Sequence, residues 1–159
     1  MLPQTSSEIE RLSSRERKGD ELNDRMFLLT FVGGPGPEGG STDLLTDYLR
    51  RQKLEGTFFT LGNRLQQRRD GAAANALRQL YGGQCVGIQG WEYRSHAQWT
   101  EWQDSLRRSQ ARVQADLPEQ YVPLFRPPYG QRRADGEHTP FAHHPDLARS
   151  GEQPGNRHI

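Results

Sequence analysis

The sequence predicts an α/β protein in which parallel strands are joined by crossover helices. Two observations carry this. From Met26 to Gly130, short apolar runs alternate with amphipathic stretches of helical period. The unusual residues, "VGGPGP", "GNRL", "GWEYRSH" and "RPPYG", all lie where those runs end. In parallel α/β folds that is the carboxyl end of the sheet, where sites gather.

The elements read in order. "MFLLTF" is a continuous apolar run, as expected of a strand buried on both faces. "STDLLTDYLRRQKLEG" follows as a helix, with Leu44, Leu45, Tyr48 and Leu49 on one face, Ser41 or Thr42 to cap the start and Gly56 just past the end. "TFFTLG" is a second strand. "DGAAANALRQLYGG" reads as a second helix closed by Gly82 and Gly83, and "CVGIQG" as a third strand. "HAQWTEWQDSLRRSQARVQADLPEQ" is a long third helix whose inner face runs through Trp99, Trp102, Leu106, Ser109 or Gln110, and Val113. "VPLFRPPYG" is a fourth strand with its exit loop.

The flanks differ. Residues 1–25 are polar and charged, with only Ile9 and Leu12 at helical spacing, and read as a frayed extension. After Gly130 the alternation stops. Phe141, Leu147 and Ile159 are the only large aliphatic or aromatic residues in "QRRADGEHTPFAHHPDLARSGEQPGNRHI", a tail expected to be disordered, with no strand and no convincing helix. A shifted reading frame or a truncation would produce such a break.

Composition narrows the function classes. The 159 residues suit one domain. Hydrophobic residues make up 32% and the mean hydropathy is −0.95, so a core forms but part of the chain stays outside it. A net charge of +1 argues against nucleic acid as the main partner. The single cysteine, Cys85, excludes an intrachain disulfide framework. No apolar run approaches the ~18 residues of a membrane span, and the N-terminus lacks the apolar core of a secretory signal, so the chain as written is expected to be cytoplasmic.

"GGPGPEGG" is glycine-rich and precedes a helix, but it lacks the Gly-Lys-Ser/Thr ending of a phosphate loop, and its prolines remove amide donors. The tail histidines, His138, His143, His144 and His158, have no fold around them to build a metal site. Trp91 and Tyr93, in a loop at a strand end, are the better candidates for a saccharide-stacking wall. Trp99 and Trp102, at helical spacing, belong to the core.

Four stretches taken together, "LTFVGGPGP", "STDLLTDYLRRQKLEGTFFTLGNRL", "GIQGWEYRSH" and "LFRPPYG", resemble the polysaccharide deacetylase (NodB-homology) family over about residues 26–133. The family pattern is Thr-Phe-Asp-Asp-Gly-Pro, then Ala-Thr-Phe-Phe, then a His-x-x-x-His pair, then Arg-Pro-Pro-Tyr-Gly. The resemblance implies a partial (β/α) barrel over residues 26–133, between the 1–25 extension and a 134–159 tail. It also implies zinc or another divalent metal, and hydrolysis of N- or O-acetyl groups on an acetylated polysaccharide or oligosaccharide. Bound metal lowers the pKa of water towards ~7 and polarises the acyl carbonyl.

The carry-over is incomplete. Thr30, Phe31, Gly34 and Pro35 match the first motif, but Val32 stands at the base position and Gly33 at the metal-binding aspartate. His96 matches the second metal histidine, with Glu92 in place of the first. Arg126, Pro127, Pro128, Tyr129 and Gly130 match the last motif in full. The resemblance assigns Arg126 to orient the base and the Tyr129 backbone N–H to the oxyanion, with Trp91, Tyr93, Pro127 and Pro128 near substrate. Glu92 and His96 would be a two-ligand remnant, and Arg126, without its carboxylate, would turn to Glu92, Glu38 or solvent. These substitutions predict little or no activity; the alternatives are a non-catalytic saccharide-binding pseudoenzyme and a non-functional gene remnant.

Overall fold

A computed structural model describes residues 27–73 and 75–130, together with the backbone of 148–149. The 1–25 extension and nearly all of the 134–159 tail lie outside the described residues. The strands are β1 (Leu29–Val32), β2 (Gly56–Leu61), β3 (Cys85–Gly90), β4 (Tyr121–Phe125) and β5 (Ala148–Arg149). The helices are α1 (Ser41–Arg51), α2 (Gly62–Asp70), α3 (Ala76–Leu80) and α4 (Trp99–Asp116), and a 3₁₀ turn covers Pro128–Gly130. All strands are parallel, in the order β1-β2-β3-β4-β5. The predicted α/β fold with crossover helices is the fold observed. Among the described residues, no helix is long and apolar enough to cross a membrane.

The core lies under β2 and β3. Phe58, Val86, Ile88 and Phe125 from the strands meet Leu65 of α2, Leu77 of α3 and Trp102, Leu106 and Val113 of α4. Trp102 is fully buried and sets its ring edge-on to Phe125, with centroids 5.5 Å apart. The α4 face expected from its spacing is the one buried.

Several local expectations are corrected. The first apolar run is an edge strand: Phe27 and Leu28 are exposed, β1 is half-buried, and Val32 is 52% exposed. Among the described residues β1 is bonded on one side only, so no second strand covers it. Helix α1 buries Thr42, Thr46 and Leu49, while Leu44 and Tyr48 face solvent. Thr46 tolerates burial because its hydroxyl donates to the carbonyls of Thr42 and Asp43, at 3.0 and 3.1 Å. No side chain caps α1; the Thr42 hydroxyl instead accepts the Gly36 N–H. Gly56 opens β2 rather than closing α1, and the left-handed residue after the helix is Lys53 (φ 56°).

"GNRL", expected at the end of the second strand, follows β2 directly and is the first turn of a helix the sequence reading did not assign, α2. Of the stretch read as the second helix, Asp70 ends α2 and Ala76–Leu80 forms α3, so it is no single helix. The strandless tail is also corrected, since Ala148–Arg149 pairs with Leu124–Phe125.

Candidate functional site

The four motif stretches converge at the carboxyl ends of β1 to β4. At the β1 exit, Val32 ends the strand and Gly33 turns the chain with φ +90°, followed by a cis bond between Gly34 and Pro35. Backbone bonds fix this turn to β2: Gly33 N–H donates to Phe59 O, and Leu61 N–H donates to Gly34 O, both at 3.0 Å. Arg68 of α2 clamps the loop beyond it. Its guanidinium donates to Gly36 O at 2.9 Å and makes a two-pronged pair with Asp43 at 3.0 and 2.5 Å. That hydrogen bonding holds the Asp43 carboxyl below its ordinary range and raises the Arg68 pKa. A cleft of about 630 Å³ opens between this loop and α2.

The space around Gly33 is informative. A Cβ built there meets nothing within 4 Å, so the place of the absent carboxylate is open. The backbone is the obstacle, because φ +90° is a conformation that side-chain-bearing residues rarely adopt.

At the β4 exit, Arg126 N–H donates to Ile88 O at 3.0 Å, and the Arg126 side chain crosses the sheet end to Thr30 Oγ1 at 3.2 Å. Its guanidinium also lies 4.8 Å from the Phe59 ring centre. Thus a hydroxyl and an aromatic face contact Arg126, where the resemblance placed a carboxylate. Pro127 and Pro128 are buried, so neither offers substrate a ring face; they are the first two residues of the turn that Gly130 closes. Tyr129 has a left-handed backbone (φ 53°) and is 60% exposed.

The β3 exit carries the rest. Trp91 N–H donates to Ser105 Oγ at 2.8 Å, which ties the loop to α4. The Trp91 ring is taken up within the protein: the Arg108 guanidinium sits 3.9 Å from its centre, and it packs so closely on Gly62 that an added Cβ would lie 2.5 Å away. Tyr93, in contrast, is exposed and leans on Tyr129, with ring centres 4.6 Å apart. Glu92 pairs with Arg94 at 3.2 Å. His96 is buried beside Trp102, with Nδ1 3.8 Å from Glu101. Burial, and then the nearby Arg94 charge, lower its pKa.

Glu92 and His96 line one cleft of about 390 Å³, together with Trp91, Glu101, Asp104 and Arg108. The donor set does not fit a metal. Among the described residues no group of three or more His, Cys, Asp or Glu side chains is arranged to hold an ion. The family's aspartate is Gly33, and the Glu92 carboxylate is engaged by Arg94.

Sequence reasoning missed the Arg68–Asp43 clamp, the Arg108–Trp91 stack and the Tyr93–Tyr129 pair. The first two join residues 25 and 17 positions apart with no local signal. The third joins neighbouring strand exits, and the parallel order of β3 and β4 predicts that nearness.

A parallel sheet with crossover helices and motif residues gathered at its carboxyl end defines a protein of the (β/α)-barrel deacetylase type. A family model described as Polysaccharide deacetylase matches residues 19–139, and the chain belongs to that family. It is 34% identical over 112 residues to the Peptidoglycan-N-acetylmuramic acid deacetylase PdaC of Bacillus subtilis (strain 168), over 68% of this chain and 22% of PdaC. It superposes on the solved structure of that peptidoglycan deacetylase with a TM-score of 0.58 and 25% identity, covering 77% of this chain and 55% of that one. The fold is also that of BA3943, described as a CE4 family pseudoenzyme from Bacillus anthracis, at TM-score 0.62 and 16% identity over 80% of this chain and 43% of that one. The chain therefore spans about half of these solved chains and about a fifth of curated PdaC.

Proposed function

We propose that this chain is a carbohydrate-directed member of the deacetylase family that keeps the frame of the site and has lost hydrolysis. The observation that carries the reading is the donor set. Val32 cannot take a proton, Gly33 cannot bind metal, and Glu92 is held by Arg94. Loss of a general base alone removes about 10²–10⁴-fold in rate, and loss of the metal removes the activated water itself. The ligand class is an acetylated polysaccharide or oligosaccharide. Support comes from PdaC, named for action on N-acetylmuramic acid in peptidoglycan, and from the fold shared with a pseudoenzyme.

Two measurements test this. Titration of the full chain with zinc by calorimetry is expected to give no stoichiometric site, and His96→Ala to change nothing. A tight site abolished by His96→Ala would restore the remnant metal centre. Binding of chitooligosaccharides and soluble peptidoglycan fragments, without acetate release, is the expected behaviour. Failure to bind either class would remove the carbohydrate reading.

A further inference from the structure

We infer that the Tyr93–Tyr129 ring pair is a stacking platform for one pyranose ring of the glycan, a proposal that rests on the carbohydrate-directed reading above. The two rings stand at the exits of adjacent strands, 4.6 Å apart between centres and tilted by 57°. They are 44% and 60% exposed. Each ring restrains the other, so part of the ordering cost of a bound state is already met in the free protein.

The backbone reinforces this. Tyr129 is left-handed at φ 53°, a conformation costing about 1–2 kcal/mol for a side-chain-bearing residue. The turn that holds it runs from Pro127 to Gly130, begins with two buried prolines and is closed by Gly130 N–H donating to Pro127 O at 3.2 Å. In this turn the Tyr129 ring stands 60% exposed beside Tyr93. Trp91, the larger aromatic of the same loop, is ruled out by Arg108 and Gly62.

The chemistry selects a sugar. A pyranose has a C–H face that lies flat on an aromatic ring and a rim of hydroxyls that the two phenol oxygens can meet. Arg94, next to Tyr93 and half exposed beside its Glu92 partner, adds N–H donors for acetamido or hydroxyl groups.

The test is titration of the full-length chain with chitopentaose by calorimetry, with thermal unfolding as the folding control. Tyr93→Ala and Tyr129→Ala are each expected to weaken binding about tenfold. Tyr93→Phe and Tyr129→Phe are expected to stay within about threefold, since the ring rather than the hydroxyl does the stacking. Should the alanine variants unfold, saturation-transfer NMR on the parent chain answers instead: tyrosine ring protons are expected to pass saturation to sugar C–H protons. Equal affinity in parent and alanine variants overturns the platform and leaves the carbohydrate reading intact. A phenylalanine loss as large as the alanine loss overturns stacking as its basis. No chitopentaose binding by the parent overturns the platform, and peptidoglycan fragments then decide whether the wider reading falls with it.

Discussion

The β1 exit and the β4 exit differ in how much of the family motif each carries. The β4 exit keeps every motif residue from Arg126 to Gly130, including a left-handed tyrosine. The β1 exit keeps its Thr-Phe entry and its Gly-Pro departure but carries Val32 and Gly33 where two acids would stand. Both turns are nonetheless well tied: Gly33 and Gly34 to β2, Arg126 to Ile88, and Arg126 across to Thr30. The lesson is that both exits are held by backbone bonds, and the β1 loop also by Arg68, so their shape does not depend on acids at positions 32 and 33.

The largest expected effect comes from prising apart the sheet that both exits hang from. A Cβ at Gly87 would lie 2.8 Å from Leu124 O and 3.0 Å from the Phe59 ring. Gly87→Ala should therefore push β4 off β3 and cost about 3 kcal/mol in chemical denaturation. An unchanged midpoint would show that the joint is softer than the packing indicates.

Asp43→Asn probes the β1 exit alone. It strips the Arg68 guanidinium of its carboxylate and should cost about 2 kcal/mol at neutral pH. Because the folded Asp43 pKa is lowered, that stability is present above the unfolded carboxylate value, ~3.9, and is lost as pH falls through the lower folded value. The gap between parent and variant should then close below about pH 4, and a gap that persists there would assign the effect to shape instead of charge.

The smallest pair separates the two missing acids. Val32→Asp, at an exposed strand end, should change stability by no more than about 0.5 kcal/mol. Gly33→Asp must adopt φ +90° and should cost about 1–2 kcal/mol, although there is room for its side chain. Equal costs would mean that the Gly33 turn relaxes freely, and the metal ligand would then be as easy to restore as the base.

Much of the fold was legible because β2, β3, β4 and α4 carry their burial in their own patterns. Phe58, Phe59, Val86, Ile88 and Trp102 are apolar where the sheet and helix need them. What escaped was decided by neighbours. In α2, "GNRLQQRRD" offers only Leu65 to the core, and its other anchors are the Arg68–Asp43 pair and the Asn63 N–H bonded to Trp91 O. Ala72 and Ala73 favour helix but are not buried, and α3 forms where Leu77 and Leu80 reach the core. Helix α1 turned a threonine face inward because its hydroxyls were satisfied locally. Within the site, the substituted positions were readable from the motifs, whereas the fate of Trp91 and the pairing of Tyr93 with Tyr129 required the sheet order.

The central claim is that the frame survives and the reaction does not. Its most direct test is acetate release from N-acetylated chitooligosaccharide by the full chain, with zinc or cobalt supplied and with EDTA as the control. The account predicts release no faster than the protein-free blank and no response to EDTA. Turnover that appears with metal and disappears with EDTA would contradict it.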